Sequence, residues 1–205
     1  MIENLENTLQ LAVLLCCTAV ATVRAAAFKS RTWTLLALFF GSWVLGDCYW
    51  LCCAVFFGET PRIPLISDLS WYAGCIFLYT LLRQVSPPKT RAERRLLPWL
   101  GPVFTAAMAV FYLQWGQLFS NLVYASLMGL LLFSSIRRLM DADPACSHRM
   151  LCAAILIFCF LEYGMWTASC IWEGDTLRNP YFWFEFAQTV FFPFLLPATK
   201  KAVTA

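Results

Sequence analysis

The chain is short of charge and nearly without histidine. Asp, Glu, Lys and Arg make up only 13% of its 205 residues, about half the share of a soluble domain. With 60% hydrophobic residues, a soluble fold of this size would lack the polar surface to cover itself. The single histidine, His148, excludes the His-rich sites of zinc-dependent membrane hydrolases, and no Cys/His pair has metal-ligand spacing. A Gly-rich phosphate loop and a nucleophile elbow are both missing. No metal, no cofactor and no nucleic-acid partner are therefore expected. Lysine is absent from the last apolar run, which excludes a retinal Schiff base there. The first residues are acidic and lead to no small-x-small exit site, so the amino-terminal stretch reads as a span and not as a cleaved signal peptide.

What the chain does have is long apolar runs. A span needs roughly 20 such residues, and seven stretches qualify, at about 8–28, 33–57, 67–85, 97–114, 116–137, 149–172 and 180–198. A short hinge at 114–117 separates the fourth from the fifth. Alternating segments of about ten residues, the mark of a membrane β-barrel, are absent. The expected fold is all-α, a polytopic bundle of seven transmembrane helices.

The charges are sorted by loop. Arg24, Lys29 and Arg31 lie between the first two spans, and Arg83, Lys89, Arg91, Arg94 and Arg95 fall in the third linker against Glu93 alone. Arg137, Arg138 and Arg149 flank the fifth linker, and Lys200 and Lys201 follow the last span. The alternate loops hold Glu3 and Glu6, then Glu59, Arg62 and Asp68, then Glu173, Asp175 and Arg178. By the positive-inside rule the N-terminus is outside and the C-terminus cytoplasmic. The ten cysteines read mainly as small packing residues. Cys52, Cys53 and Cys170 alone lie near the outer face, where a disulfide could persist.

Two outer linkers are nearly alike. Residues 58–64 read Gly-Glu-Thr-Pro-Arg-Ile-Pro, and residues 174–180 read Gly-Asp-Thr-Leu-Arg-Asn-Pro. At the same offset Trp50 matches Trp166. The expected organisation is one transmembrane domain over 1–205, built as a 3+1+3 parallel pseudo-repeat. Its first repeat covers about 8–85, the linking span about 97–114 and the second repeat about 116–198. Sites in such architectures tend to form where the halves meet.

Three carboxyls interrupt the apolar runs: Asp47, Glu162 and Glu185. At membrane depth a charge costs several kcal/mol, so such residues face a cavity, a partner or a pathway. The repeat offset puts Asp47 one residue from the equivalent of Glu162, and Asp68 one from that of Glu185. Gln188 follows Glu185 on the same helix face, and Asn121 enters from the fifth span at a similar depth. An acidic cavity open to the outside is expected, rimmed by Trp50, Tyr72, Trp166 and Tyr181. Carboxyls held away from water are candidates for proton transfer. Structural readings stand beside this one: Asp68 as a helix cap with Ser67, Glu185 reaching for the interface, Asp47 and Glu162 as interhelical glue.

Gly46-Asp47 in the second span, Glu162 in the sixth and Ala187-Gln188 in the seventh resemble the layout of the lysoplasmalogenase membrane family, which pairs a Gly-Asp with a later Ser-Asp and an Ala-Gln; here Leu161-Glu162 stands where the family has Ser-Asp. The resemblance covers spans two, three, six and seven. It implies an ether-lipid hydrolase in which Asp47 and Glu162 are the catalytic acids that protonate and hydrate a vinyl ether, work suited to carboxyls able to hold and return a proton. Glu185, Gln188, Asn121, Trp50, Trp166, Tyr72 and Asp68 would then bind the ligand.

Two other readings stay open: a small-molecule transporter or ion-coupled carrier, and a seven-span sensor without its own output domain. All three place the protein among membrane lipids with a small or amphiphilic ligand and are compatible with a homo-oligomer. A bacterial inner membrane is the expected location.

Overall fold

The computed structural model describes residues 2–58, 65–85, 96–141 and 147–203. Every regular element among them is helical. Helix α1 spans Ile2–Phe28, and α2 spans Arg31–Cys52 and continues as a π-helical turn, Cys53–Phe57. Helix α3 is Leu65–Val85; a 3₁₀ turn, Leu97–Trp99, leads into α4, Leu100–Tyr112. Helices α5 and α6 are Leu118–Asp141 and Arg149–Ile171. Helix α7, Pro180–Phe191, passes through a 3₁₀ turn at Phe192–Phe194 into α8, Leu195–Val203. The break coincides with Pro193, which has no N–H to continue the α-helical ladder.

Among the described residues, four helical stretches are long and apolar enough to cross a membrane: Ile2–Phe28, Arg31–Phe57, Leu118–Met140 and Arg149–Ile171. Leu97–Tyr112 is apolar but shorter. The chain is thus an all-helical protein with the composition and helix lengths of an integral membrane protein. Helical segments fall in all seven stretches marked out by hydrophobicity, with displaced ends at α1, at α5, which runs to Asp141 beyond the expected 137, and at α8, which runs to Val203 beyond the expected 198. Helix α1 begins six residues before the expected start at residue 8, at Ile2. At 1.5 Å per residue its 27 residues reach about 40 Å, longer than a hydrocarbon core of roughly 30 Å.

Helices pack in a closed order: α1 on α2, α2 on α3, α3 on α5, α5 on α6, α6 on α7, and α7 back on α1. Helix α4 lies outside this ring, packed mainly against α5 and joined to α6 through Tyr112, whose hydroxyl meets Thr167 Oγ1 at 2.8 Å. Its partner surface is shaped by Gly101, where an added Cβ would fall 2.7 Å from the Leu132 side chain, and by Gly129, which faces Thr105. The centre of the ring is aromatic. Phe39, Phe158 and Phe192 are fully buried there. Phe39 meets Phe158 edge-on at 5.8 Å between centroids and Phe192 at 6.3 Å, and Trp43 meets Phe158 at 5.7 Å.

One end of the bundle gathers basic residues. It carries Arg24, Lys29, Arg31, Arg83, Arg149 and Lys200, and Arg24 sits over the Trp33 ring at 4.7 Å. The opposite end collects the acids. Of the first copy of the repeated linker only Gly58 is described, with φ +66; residues 59–64, Glu59 and Arg62 among them, lie outside the described residues, as do Lys89, Arg91, Glu93, Arg94, Arg95 and Cys146. All nine described cysteines are free, Cys52, Cys53 and Cys170 among them.

Candidate functional site

Two glycines set the geometry of the acidic end. Gly46 on α2 leaves room for Trp71 of α3: a Cβ at that position would fall 2.5 Å from the indole nitrogen. Gly74 on α3 does the same for Trp43 of α2, at 2.8 Å. The two helices close with their indoles interlocked, ring centroids 6.0 Å apart. Trp71 Nε1 then donates to Asp47 Oδ1 at 3.3 Å. In the Gly46-Asp47 pair the glycine provides the space and the aspartate the acceptor.

Glu162 on α6 is held from two sides. The Tyr124 hydroxyl of α5 donates to its Oε2 at 2.5 Å, and Gln188 Nε2 of α7 donates to its Oε1. Both carboxyl oxygens therefore have a partner, and only 1% of the residue is exposed. Gly164 lets α7 come close enough for this, since a Cβ there would run into the Phe184 ring. Gln188 is one turn further along the same face of α7. Trp166 covers Tyr124 at 3.9 Å between centroids.

The start of α7 is fixed by local chemistry. Asn179 Oδ1 accepts from the Tyr181 N–H at 3.0 Å, with Pro180 at the first helical position, an arrangement suited to a helix amino end. Asn179 Nδ2 reaches back to the Gly174 carbonyl at 3.2 Å. Gly174 has φ +96, a backbone region that side chains other than glycine's seldom occupy. Beside it, Asp175 accepts from the backbone N–H groups of Ile2 and Glu3 at 3.3 and 3.0 Å. A carboxylate from the α6–α7 loop thus caps the amino end of α1, where unpaired N–H groups and the helix dipole favour an anion.

Between these elements lies a cavity of about 460 Å³. Helix α1 contributes Glu3, Asn7 and Gln10, spaced so that they share one helix face. Helices α2 and α3 contribute Trp43, Asp47, Trp50 and Trp71. Glu162, Met165, Trp166 and Ser169 come from α6, and Tyr181, Phe182 and Glu185 from α7. The loop between them adds Trp172 and Asp175. The lining holds five acids and five tryptophans, and no Lys, Arg or His among the described residues.

Two of the acids keep a free oxygen. Asp47 Oδ2 and Glu185 Oε2 are buried without a hydrogen-bond partner, in residues only 5% and 3% exposed. An unmet acceptor at that depth costs about 1–3 kcal/mol, so each oxygen is a point where a ligand donor would be favoured. Electrostatic interactions link Asp47 with Glu162 and with Glu185. Below the cavity, Trp43 leads into the aromatic centre formed by Phe39, Phe158 and Phe192, which separates the cavity from the basic end.

The structure thus gathers Asp47, Glu162, Glu185, Trp50, Trp166 and Tyr181 at one cavity. Gln188 stands behind Glu162 as its donor. The other three candidates lie aside. Asp68 is in the first turn of α3 and accepts from the Ser120 hydroxyl of α5 at 2.9 Å, an interhelical tie; the residues that precede α3 lie outside the described ones. The Tyr72 hydroxyl donates to the Ser120 carbonyl at 3.4 Å. Asn121 is buried under the hinge, its Oδ1 2.9 Å from the place of a Cβ on Gly116.

Sequence reasoning missed Asn7, Gln10, Trp43, Trp71 and the capping role of Asp175. The signal in α1 was present: residues 3, 7, 10, 14, 17 and 21 fall on one helix face, and Leu14, Cys17 and Ala21 continue the buried polar residues without a break. No family model, curated protein or solved structure matches this chain.

Proposed function

We propose that this is a seven-span membrane protein that takes up a small or amphiphilic ligand from the outside into its acidic cavity. The observation that carries the reading is the pair of unpartnered buried oxygens, Asp47 Oδ2 and Glu185 Oε2, in a cavity of ligand size. The outward direction is supported by the sorting of charge, with the basic residues at the end opposite the cavity. The 3+1+3 parse is supported by the position of α4 outside the ring. A bacterial inner membrane suits this reading.

The test is lipid- and metabolite-resolved mass spectrometry of the purified protein and of an Asp47→Asn/Glu185→Gln double variant. Loss of a specific co-purifying compound in the variant supports the proposal. Identical profiles would count against it.

A second reading is lysoplasmalogenase-like hydrolysis, favoured by the placement of Asp47 and Glu162 on one cavity and by the Gln188–Glu162 bond. Glu162 has both oxygens engaged, so Asp47, with one oxygen free, is the proton donor in this version. Turnover of a lysoplasmalogen that vanishes in Asp47→Asn would support it, and undiminished turnover would remove it. Transport is less well supported, because the aromatic centre closes the route to the basic end. A sensor would share the cavity and differ in having neither turnover nor flux.

A further inference from the structure

The reading of an outward-facing ligand cavity, on which the present inference rests, leaves the chemical class of the ligand open. We propose that the cavity takes a small organic cation, a protonated amine whose N–H groups bond Asp47 and Glu185 and whose carbon skeleton lies among the indoles of Trp50, Trp71 and Trp166.

Three observations converge on a protonated amine. First, Asp47 Oδ2 and Glu185 Oε2 are acceptors without donors, each in a residue at least nine-tenths buried. A ligand that offers N–H groups satisfies both, whereas a ligand with acceptors alone leaves them as they are. Second, the described lining contains no Lys, Arg or His, so no cationic side chain there would hold a phosphate or carboxylate, and the unpartnered Trp43 Nε1–H is a single neutral donor against two acidic acceptors. An anionic ligand would instead face Glu3, Asp47, Glu162, Asp175 and Glu185. Third, five tryptophans stand in the remaining walls, and tryptophan is the side chain whose ring face attracts cations most strongly.

The same observations favour an organic cation over a bare metal ion. No group of three or more His, Cys, Asp or Glu side chains among the described residues could hold a metal. Indole walls cannot replace a hydration shell, but they do match alkyl groups around an ammonium centre. Glu162 is set apart from the other two acids. Its oxygens are taken by Tyr124 and Gln188, so it offers no vacant acceptor. Recognition therefore falls to Asp47 and Glu185, on α2 and α7.

The experiment compares three ring compounds of similar shape on the purified full chain: cyclohexylamine, cyclohexanol and cyclohexanecarboxylate. Binding is read by quenching of tryptophan fluorescence and by isothermal calorimetry. The proposal expects saturable binding of the amine, tighter than that of the alcohol and the carboxylate by about tenfold or more, the effect of one charge-assisted hydrogen bond. Glu185→Gln and Asp47→Asn should each weaken the amine by a similar factor and leave the alcohol unaffected. Competition by lysophosphatidylethanolamine would place the natural ammonium on a lipid headgroup. Its failure to compete would place it on a soluble amine, and either result supports the class. Alcohol or carboxylate binding as tight as the amine, and lost when Ser169→Trp fills the cavity, would overturn the cation class and leave the ligand cavity standing. Saturable binding of none of the three would overturn both. The wild-type comparison needs no variant, so a poorly folding substitution cannot hide the answer.

Discussion

Gly46 and Trp71 fit one another as socket and plug: the indole nitrogen occupies the space 2.5 Å from where a Cβ on Gly46 would stand. That same nitrogen is the donor to Asp47. The position of the acid and the closeness of two helices are thus set by a single missing side chain.

Gly46→Ala should displace Trp71 and break its bond to Asp47. Overpacking of this kind costs about 1–3 kcal/mol, read as a lower Tm of the purified protein. Trp71→Phe in the same chain should recover part of the loss, because the smaller ring vacates the contested space. Additive losses in the double variant would show that the two residues act independently.

The clamp on Glu162 gives a second expectation. Gln188→Leu keeps the bulk of the side chain but removes the donor to Glu162 Oε1. Leaving that oxygen unpaired should cost about 1–3 kcal/mol. Glu162→Leu combined with Gln188→Leu should cost less than the two single losses summed, since neither partner is then stranded. The measurement is again Tm, with the four proteins forming one cycle.

Asp175 is expected to control the order of the first turn of α1. Asp175→Ala removes the acceptor for the Ile2 and Glu3 N–H groups. Hydrogen exchange at the start of α1 should become several-fold faster, while α6 and the aromatic centre keep their protection. Unchanged exchange there would mean that α1 is ordered by its packing on α7 and α2 alone.

Orientation can be read directly with a thiol. Ser169 lines the cavity on α6, and Ser169→Cys, with Cys52, Cys53, Cys146 and Cys170 changed to Ser, should react with a membrane-impermeant maleimide in right-side-out vesicles. Reaction only after inversion of the vesicles would reverse the topology derived from the loop charges.

The positions of the helices were legible because hydrophobic runs measure the thickness of a bilayer directly. The start of α1 was not, because Glu3, Glu6, Asn7 and Gln10 fail a test for apolar length. Their spacing is that of a buried face, with Glu6, Asn7 and Gln10 each less than 9% exposed. The acids of the site stood out because a carboxylate in an apolar run has few structural explanations. Trp43 and Trp71 did not, since a tryptophan in such a run usually reads as core or as an interfacial anchor. Their roles depend on Gly74 and Gly46, residues distant in sequence that only the folded α2–α3 pair brings opposite them. Asp68 and Asn121 showed the reverse limit. Their depth was readable, but the direction in which each points depends on Ser120 and Gly116, which belong to other parts of the fold.

The charge of the cavity also bears on time. The cavity is lined by acids with no described Lys, Arg or His beside them, and wherever those acids are ionised the low-polarity walls concentrate their field instead of letting water spread it. A positively charged visitor would be drawn in from solution and meet the site at a rate well above that of a neutral one of equal size. Added salt would slow its arrival while leaving its departure, governed by buried contacts, almost untouched.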